Sequence, residues 1–322
     1  MTPKFIYEND LRYLSYTSRK ENMLAITKSI ALQGLNGYLV AIQIDIGNGL
    51  PDFQIVGLPD ISVKESKERV KTAIKNSNIE FLSRKIIVNL SPASTKKEGS
   101  MFDLPIAIGI LIANGNIRNY KLNKILEETA FVGELSLNGK IEKTKGILPI
   151  CIEAKKLGLK RIILPKQNAE EVGVLQDLEI LPVNTLREVI HYLNGKKDIN
   201  KYESRILDLN KSIEYEYDFS EVKGQENVKR ALEIAASGSH NCLLLGTPGS
   251  GKTMLARRLP SILPNMNLEE ALEVTKIYSI LGLTSNKEPF ITTRPFKSPH
   301  HTVTSTSLVG RRKKSKTSEK LV

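Results

Sequence analysis

The chain has 322 residues, of which 40% are hydrophobic and 25% are charged, and its formal net charge is +12. This length predicts about two domains with real cores, and the basic balance favours a polyanion such as nucleic acid, or an acidic small ligand, as partner. The longest apolar run, residues 104–113, falls short of the ~20 residues that cross a bilayer, so we expect no membrane partner.

The cysteines and the first residues bear on the compartment. Cys151 and Cys242 both lie in apolar runs, which predicts buried free thiols in a reducing compartment rather than a disulfide. No metal-ligand spacing is present. Residues 1–22 lack the apolar core of a signal peptide, so we expect a cytoplasmic protein.

From Met23 onward the apolar pattern becomes regular and predicts a mixed α/β or α+β first half. A turn near Gly34 joins the first two strands, Asp60 is placed to cap the first helix, and Asn138-Gly139 indicates a hairpin. Strands are predicted at 24–32, 37–46, 53–56, 85–90, 130–137, 161–164 and 179–181, and helices at 61–75, 102–113, 150–157 and 185–193.

Residues 246–253 fit the phosphate-loop pattern of Gly, four residues, then Gly-Lys-Ser/Thr. The apolar run 242–245 predicts a buried strand before the loop, and 254–258 continues it as a helix. The alternative is a chance glycine-rich loop. The candidate nucleotide-binding residues are Gly246, Thr247, Pro248, Gly249, Ser250, Gly251, Lys252 and Thr253.

The chemistry of phosphate binding requires these residue types. The glycines let the backbone turn so that successive N–H groups point at phosphate oxygens, and the start of the helix adds its unpaired amides. We expect Lys252 to reach the β- and γ-phosphates of ATP and the Thr253 hydroxyl to ligate Mg²⁺.

Further segments carry a resemblance to a known family. They are Val56-Gly-Leu-Pro-Asp60, Val63 to Val70, Val88-Asn-Leu-Ser-Pro92, Lys97-Glu-Gly99, Phe102-Asp-Leu-Pro105 and Phe131 to Ser136. With the phosphate loop, they resemble the ComM/YifB family of Mg-chelatase-like AAA+ ATPases from Met23 to the tail. The resemblance implies homo-oligomeric ring-forming ATPases that act on DNA in recombination during natural transformation.

The same resemblance implies the fold class: a Lon-protease-like (ribosomal S5 domain 2-like) α+β domain, followed by the first part of a P-loop AAA+ domain. The Lon-like domain is expected to be non-proteolytic. Met101 stands where Lon proteases carry the nucleophilic serine, one position after Ser100, and Leu148 stands where they carry the lysine. A Ser/Lys dyad needs a hydroxyl and an amine.

The predicted organisation has four parts: an N-terminal extension at 1–22, the Lon-like domain at 23–194, a charged linker at 195–219 and the partial AAA+ domain at 220–322. Translation from Met23 is the alternative to the extension. Val222 and Gln225 resemble the AAA+ segment that packs beside the adenine, although the start of an ordinary helix explains them equally well. Helices are predicted at 225–236 and 268–280.

The family pattern breaks near the carboxyl end. His300 and His301 lie in a segment that matches a family loop, where packing or a nucleic-acid contact is favoured over a metal site. After Gly310 the family would continue to the Walker B Asp-Glu pair, but residues 311–322 are basic and no aspartate follows Asp218. We therefore expect a truncated ATPase without catalytic residues, and the alternative is a nucleic-acid-binding tail.

Three other functions remain open from the residues. The first half alone can be a DNA- or partner-binding module, the second half can be the motor of a Mg-chelatase, and the whole chain can be an inactive, decayed product. The principal expectation is the ATP-binding portion of a ComM-like AAA+ ATPase whose hydrolysis is lost.

Overall fold

The computed structural model describes residues 23–81, 83–204, 215–285, 289–299 and 302. The predicted extension at 1–22 and the middle of the predicted linker lie outside these residues. The chain divides into two compact units. The first joins the chain up to position 208, inside the predicted linker, to the later stretch Leu268–Ile291, and the second holds the rest. The predicted domain boundaries stay predictions.

Nine strands occur among the described residues, all in the first unit. Six of the seven predicted strands are confirmed with closely similar bounds, and the seventh is divided in two. The strands are β1 Met23–Gln33, β2 Asn36–Gly47, β3 Asp52–Val56, β4 Lys85–Ser91, β5 Thr129–Phe131, β6 Glu134–Leu135, β7 Ile141–Glu142, β8 Arg161–Pro165 and β9 Glu179–Val183.

Four strands form the larger sheet in the order β1-β2-β4-β3. β1 and β2 pair antiparallel with Ile30 opposite Leu39, β2 and β4 pair antiparallel with Ile44 opposite Val88, and β3 runs parallel to β4. The three strands β5-β8-β9 form a second sheet, which is entirely parallel. Parallel pairs connected by helices make this unit an α/β structure.

The prediction of one continuous strand at 130–137 is wrong, because the structure divides this segment into two strands. Its first part is β5 in the parallel sheet, and its second part is β6, which pairs antiparallel with β7 as the predicted hairpin. Gly133 lies between the two parts, and its N–H donates to the Met101 carbonyl at 3.0 Å. The chain changes sheets there, so one apolar run serves two sheets.

Nine α-helices occur in the described parts of the chain. Two of them, α7 and α8, belong to the second unit, and the others belong to the first. The helices are α1 Ile61–Asn76, α2 Asp103–Ala113, α3 Leu122–Glu128, α4 Ile147–Lys156, α5 Ala169–Val172, α6 Leu186–Leu193, α7 Glu226–Gly238, α8 Lys252–Arg258 and α9 Leu268–Leu281.

Helix α2 is the centre of the first core, as its uniformly apolar sequence predicts. Every residue from Asp103 to Ala113 is buried, and Gly109 lets the helix lie against Ile44 of β2, because a Cβ there would stand 2.1 Å from the Ile44 Cδ1. The Thr27 hydroxyl of β1 donates to the Pro105 carbonyl at 3.0 Å. The helix is thereby fixed on the larger sheet.

A buried ion pair holds the start of α2 to α1. Arg69 donates to both carboxylate oxygens of Asp103, at 2.7 and 3.1 Å. Burial raises the pKa of Asp103 above its usual value, although Arg69 opposes that shift. The predicted cap of α1 is confirmed, since the Asp60 carboxylate accepts from the Val63 N–H at 2.8 Å.

A second buried carboxyl group, on Glu171 of α5, joins α5 to the end of α9, and α9 also packs on α4. Glu171 is only 4% exposed, and its Oε2 accepts from the Thr284 hydroxyl at 2.9 Å. Burial raises the pKa of Glu171, against the opposing effect of the Ser279 and Thr284 hydroxyls and of Lys143. Gly146, before α4, donates its N–H to the Ser279 carbonyl at 2.9 Å.

Candidate functional site

The predicted phosphate loop is an open turn in the second unit. Residues from Gly246 to Ser250 are exposed, and Gly251 caps helix α8. Gly249 has φ 79° and Gly251 has φ 85°, a left-handed backbone that side chains with a Cβ rarely adopt. The two glycines are therefore what allows the chain to turn here before entering the helix.

Lys252 lies over the loop that precedes it. Its Nζ donates to the Gly246 carbonyl at 2.9 Å, to the Thr247 carbonyl at 2.7 Å and to the Ser250 hydroxyl at 3.2 Å. The ammonium group is thus held against the turn, because all three acceptors belong to the turn itself. No carboxylate neutralises it within the described part of this unit.

The amides of the turn are only partly used. Ser250 donates its N–H to the Thr247 carbonyl at 3.3 Å. Across the described residues, the amides of Gly249 and Gly251 donate to no acceptor of the chain. Pro248 has no N–H to offer, and Thr253 is exposed on the first turn of α8. The Gly249 and Gly251 amides are therefore free to bind an external acceptor, whereas the three donors of the Lys252 ammonium group are used by the turn.

The structure brings Gln225 to this loop and places Val222 beneath it. Gln225 precedes α7 in a left-handed conformation, φ 58°, and its Nε2 donates to the Ser250 carbonyl at 3.3 Å. Val222 is 5% exposed and packs in a small core with Leu232 of α7 and Leu255 of α8. One residue of the predicted adenine-side pair thus contacts the loop, and the other supports both helices.

The prediction of a strand at 242–245 is wrong. These residues form no strand, Leu243 is 82% exposed and Leu245 is 84% exposed. A buried strand of this kind needs hydrogen-bonded neighbours, and the described residues of the second unit contain no other strand. The prediction that Cys242 is buried fails for the same reason, whereas Cys151 is buried as predicted.

An interaction that sequence reasoning missed joins the end of α8 to the start of the unit. Arg258 donates to the Glu221 carboxylate at 2.6 and 3.0 Å and lies 5.4 Å from the centre of the Tyr217 ring. The Ser261 hydroxyl accepts the Phe219 N–H at 2.9 Å. The sequence does show that α8 ends in basic residues, which indicates a possible ion pair. It does not show which carboxylate forms that pair.

The positions compared with Lon proteases lie in the first unit. Leu148 is fully buried in α4 and Met101 is partly buried in a 3₁₀ turn. The Ser100 hydroxyl donates to the Glu134 carboxylate. Lys97, three positions before Ser100, is buried, and its ammonium group donates hydrogen bonds to the carbonyls of Pro92 and Thr95. The absence of proteolysis stays a prediction.

Some predictions fall on residues that the structure does not describe, namely His300, His301 and the basic segment 311–322. Over the described residues, no group of three or more His, Cys, Asp or Glu side chains is arranged to hold a metal ion. Within the same residues, none of the helices has the length and apolar character that crossing a bilayer requires.

Two family models match separate parts of the chain. A model described as subunit ChlI of Mg-chelatase matches residues 42–168. A model described as magnesium chelatase, subunit ChlI, matches residues 218–319, which include the loop, Val222 and Gln225.

Curated bacterial proteins are similar over most of the chain. Competence protein ComM of Haemophilus influenzae is 39% identical over 289 residues, 89% of this chain and 56% of that protein. Protein YifB of Escherichia coli is 40% identical over 292 residues, 89% of this chain and 55% of that protein. The chain thus spans about half the length of these relatives.

A weaker similarity extends to Lon proteases. Lon protease of Azorhizobium caulinodans is 22% identical over 185 residues, 54% of this chain and 21% of that protein. The ranges that the two family models match include the motifs from Val56 to Ser136 and the phosphate loop. The chain therefore belongs to the ComM/YifB family of Mg-chelatase-like AAA+ proteins.

Proposed function

We propose that this chain is the ATP-binding portion of a ComM-like ATPase and that residues 246–253 hold the phosphates of ATP. The single observation that carries the proposal is the turn itself. Lys252 covers it with an ammonium group held by three acceptors of the loop, while the Gly249 and Gly251 amides have no acceptor within the described chain. Such an arrangement of hydrogen-bond donors is suited to binding an anion.

The proposed roles follow from the donor chemistry. The backbone amides of the turn bind phosphate oxygens, and Lys252 leaves its loop carbonyls to contact the β- and γ-phosphates. Thr253 would supply a hydroxyl to Mg²⁺, and the ion would reduce the negative charge of the phosphates. Gln225 and Val222 lie on the adenine side, where Gln225 also positions the loop through Ser250.

Within the 322 residues, we propose binding without turnover. No aspartate follows Asp218 in the sequence, so these residues provide no Asp-Glu pair to hold Mg²⁺ and orient water after the phosphate loop. The action on DNA during recombination and the assembly into rings are proposed from the family alone, and the cytoplasmic location is proposed from the free cysteines. The Lon-like character of the first domain is likewise proposed from the family. The alternative functions are the motor of a Mg-chelatase, a stand-alone DNA- or partner-binding module, and an inactive product.

Replacement of Lys252 by alanine tests the proposal. We expect the variant to lose roughly tenfold or more in affinity for a fluorescent ATP analogue with Mg²⁺, because hydrogen bonds to charged groups contribute about 1.5–3 kcal/mol. The matched control is Arg257→Ala, which removes an exposed cation from the same helix. Equal affinities for the Lys252 variant and the parent would contradict the assignment, and steady ATP hydrolysis by the parent would contradict the absence of turnover.

A further inference from the structure

A basic surface with one projecting tyrosine lies at one corner of the first unit. Tyr120, between α2 and α3, is 91% exposed, and the ammonium group of Lys121 lies 5.2 Å from the centre of its ring. We call the following set the Tyr120 surface: Arg118, Tyr120, Lys121, Lys124, Lys196 and Lys197, all of which are exposed.

Two segments far apart in sequence are joined here by hydrogen bonds. The Arg118 N–H donates to Asn194 Oδ1 at 2.9 Å, and the Asn119 side chain donates to the Leu193 carbonyl at 3.0 Å. The Asn194 side chain returns a bond to the Asn116 carbonyl at 3.3 Å. These bonds hold the loop before α3 against the turn after α6, so the two segments that carry the cations are adjacent.

The base of this surface is rigid although its side chains project into solvent. Ile117 is 2% exposed and belongs to the main core. The Lys121 N–H donates to Asn119 Oδ1 at 2.9 Å, and the Leu122 N–H donates to the Asn119 carbonyl at 3.0 Å. A buried anchor on one side and an asparagine-centred turn on the other fix the backbone that carries Tyr120.

Most cations of the surface form no ion pair with the described neighbouring acids. Over the described residues, no carboxylate lies within ion-pair distance of Arg118, Lys121 or Lys196. Glu128, the carboxylate at the end of α3, pairs with Lys160 and Arg161 and also attracts Lys124. The surface therefore keeps its positive charge, unlike α1, whose exposed lysines alternate with glutamates.

We propose that the Tyr120 surface binds single-stranded nucleic acid, with the five cations on phosphates and a base stacked on the Tyr120 ring. An exposed aromatic ring among cations offers both contacts that unpaired strands require, since the ring accepts any base face and the cations follow the backbone. A stacked duplex hides its base faces, and an anionic lipid surface offers no ring to stack on. The proposal goes beyond nucleotide binding in the second unit and does not depend on it.

The test measures fluorescence anisotropy of a labelled oligothymidine of about 20 nucleotides with the full chain, without ATP, over a series of salt concentrations. The double variant Lys196→Gln/Lys197→Gln removes two cations. Its affinity should fall, and the slope of log affinity against log salt should shrink by about 1.4, at about 0.7 per phosphate contact. The matched control, Lys64→Gln/Lys67→Gln on α1, makes the same change of net charge and should keep the parent's slope.

The tyrosine is tested separately from the charges. Tyr120→Ala should lose roughly tenfold in affinity at an unchanged salt slope, and Tyr120→Phe should bind like the parent, because stacking needs the ring and not the hydroxyl. Equal losses in the α1 control, an unaffected Tyr120→Ala, or stronger binding to phosphatidylserine vesicles than to the oligonucleotide would each overturn the proposal. Lys252→Ala should bind the strand normally, so failure here and failure of ATP binding are distinguishable.

Discussion

Two short apolar runs, one in each unit, have nearly the same character in sequence and opposite surroundings in the structure. Strand β4 of the first unit has hydrogen-bonded neighbours on both sides, and its Ile86, Val88 and Leu90 are at most 2% exposed. The run 242–245 of the second unit has no neighbouring strand among the described residues, and Leu243 and Leu245 are more than 80% exposed. Apolar composition identifies a segment suited to a sheet, but partners decide whether it becomes a strand.

The largest expected difference between the units concerns their two thiols. Cys242 is exposed beside the unpaired run, whereas Cys151 is fully buried and burial raises the pKa of its thiol well above the usual value. We expect a thiol reagent to label Cys242 at least about a thousandfold faster, because Cys151 reacts only after unfolding. The single-thiol variants Cys151→Ser and Cys242→Ser, followed by mass spectrometry, measure each rate, and equal rates would remove the contrast.

A matched pair of leucine truncations gives the next largest effect. Leu90→Ala in β4 removes a fully buried side chain and should lower the free energy of unfolding by about 3 kcal/mol. Leu243→Ala removes a side chain that is 82% exposed and should change that free energy by less than about 0.5 kcal/mol. Urea denaturation measures both, and a large cost at Leu243 would mean that the run is buried in solution.

The smallest effect is a dependence on pH. Burial raises the pKa of Glu171 above its ordinary value of 4.5, so the folded chain holds this proton more tightly than the unfolded chain. The resulting stability is present below pH 4.5 and is lost as the pH rises through the folded pKa. Glu171→Gln should therefore flatten the decline of the melting temperature across that window, whereas the exposed Glu68→Gln should follow the parent. A parent curve retained by Glu171→Gln would contradict this.

Much of the first unit could be predicted from sequence because its signals are local. Alternation predicted β1 and β2, Asp60 predicted the start of α1, and the uninterrupted apolar stretch predicted a central helix at α2. The division of residues 130–137 between two sheets could not be predicted, because it depends on which strands lie beside each half. The Arg69–Asp103 pair was also missed, since 34 positions separate its members.

The candidate site was predictable as a list of residues but not as an arrangement. The glycine and lysine spacing located the loop, and the two left-handed glycines bear out the conformational reasoning. Spacing did not reveal that Lys252 donates to loop carbonyls or that Gln225 reaches Ser250. These contacts depend on how the segment before α7 folds back, which no local pattern encodes.

The first unit is assembled from two separated stretches of chain. The later stretch is joined to the earlier one by the hydrogen bonds between Gly146 and Ser279 and between Glu171 and Thr284. An expression fragment that stops at residue 204 would omit α9 and uncover the side of α4 on which it packs. Such a fragment would also remove the Ser279 and Thr284 hydroxyls that hydrogen-bond Glu171. A useful truncation of this protein must therefore retain or replace α9, even when only its amino-terminal portion is wanted.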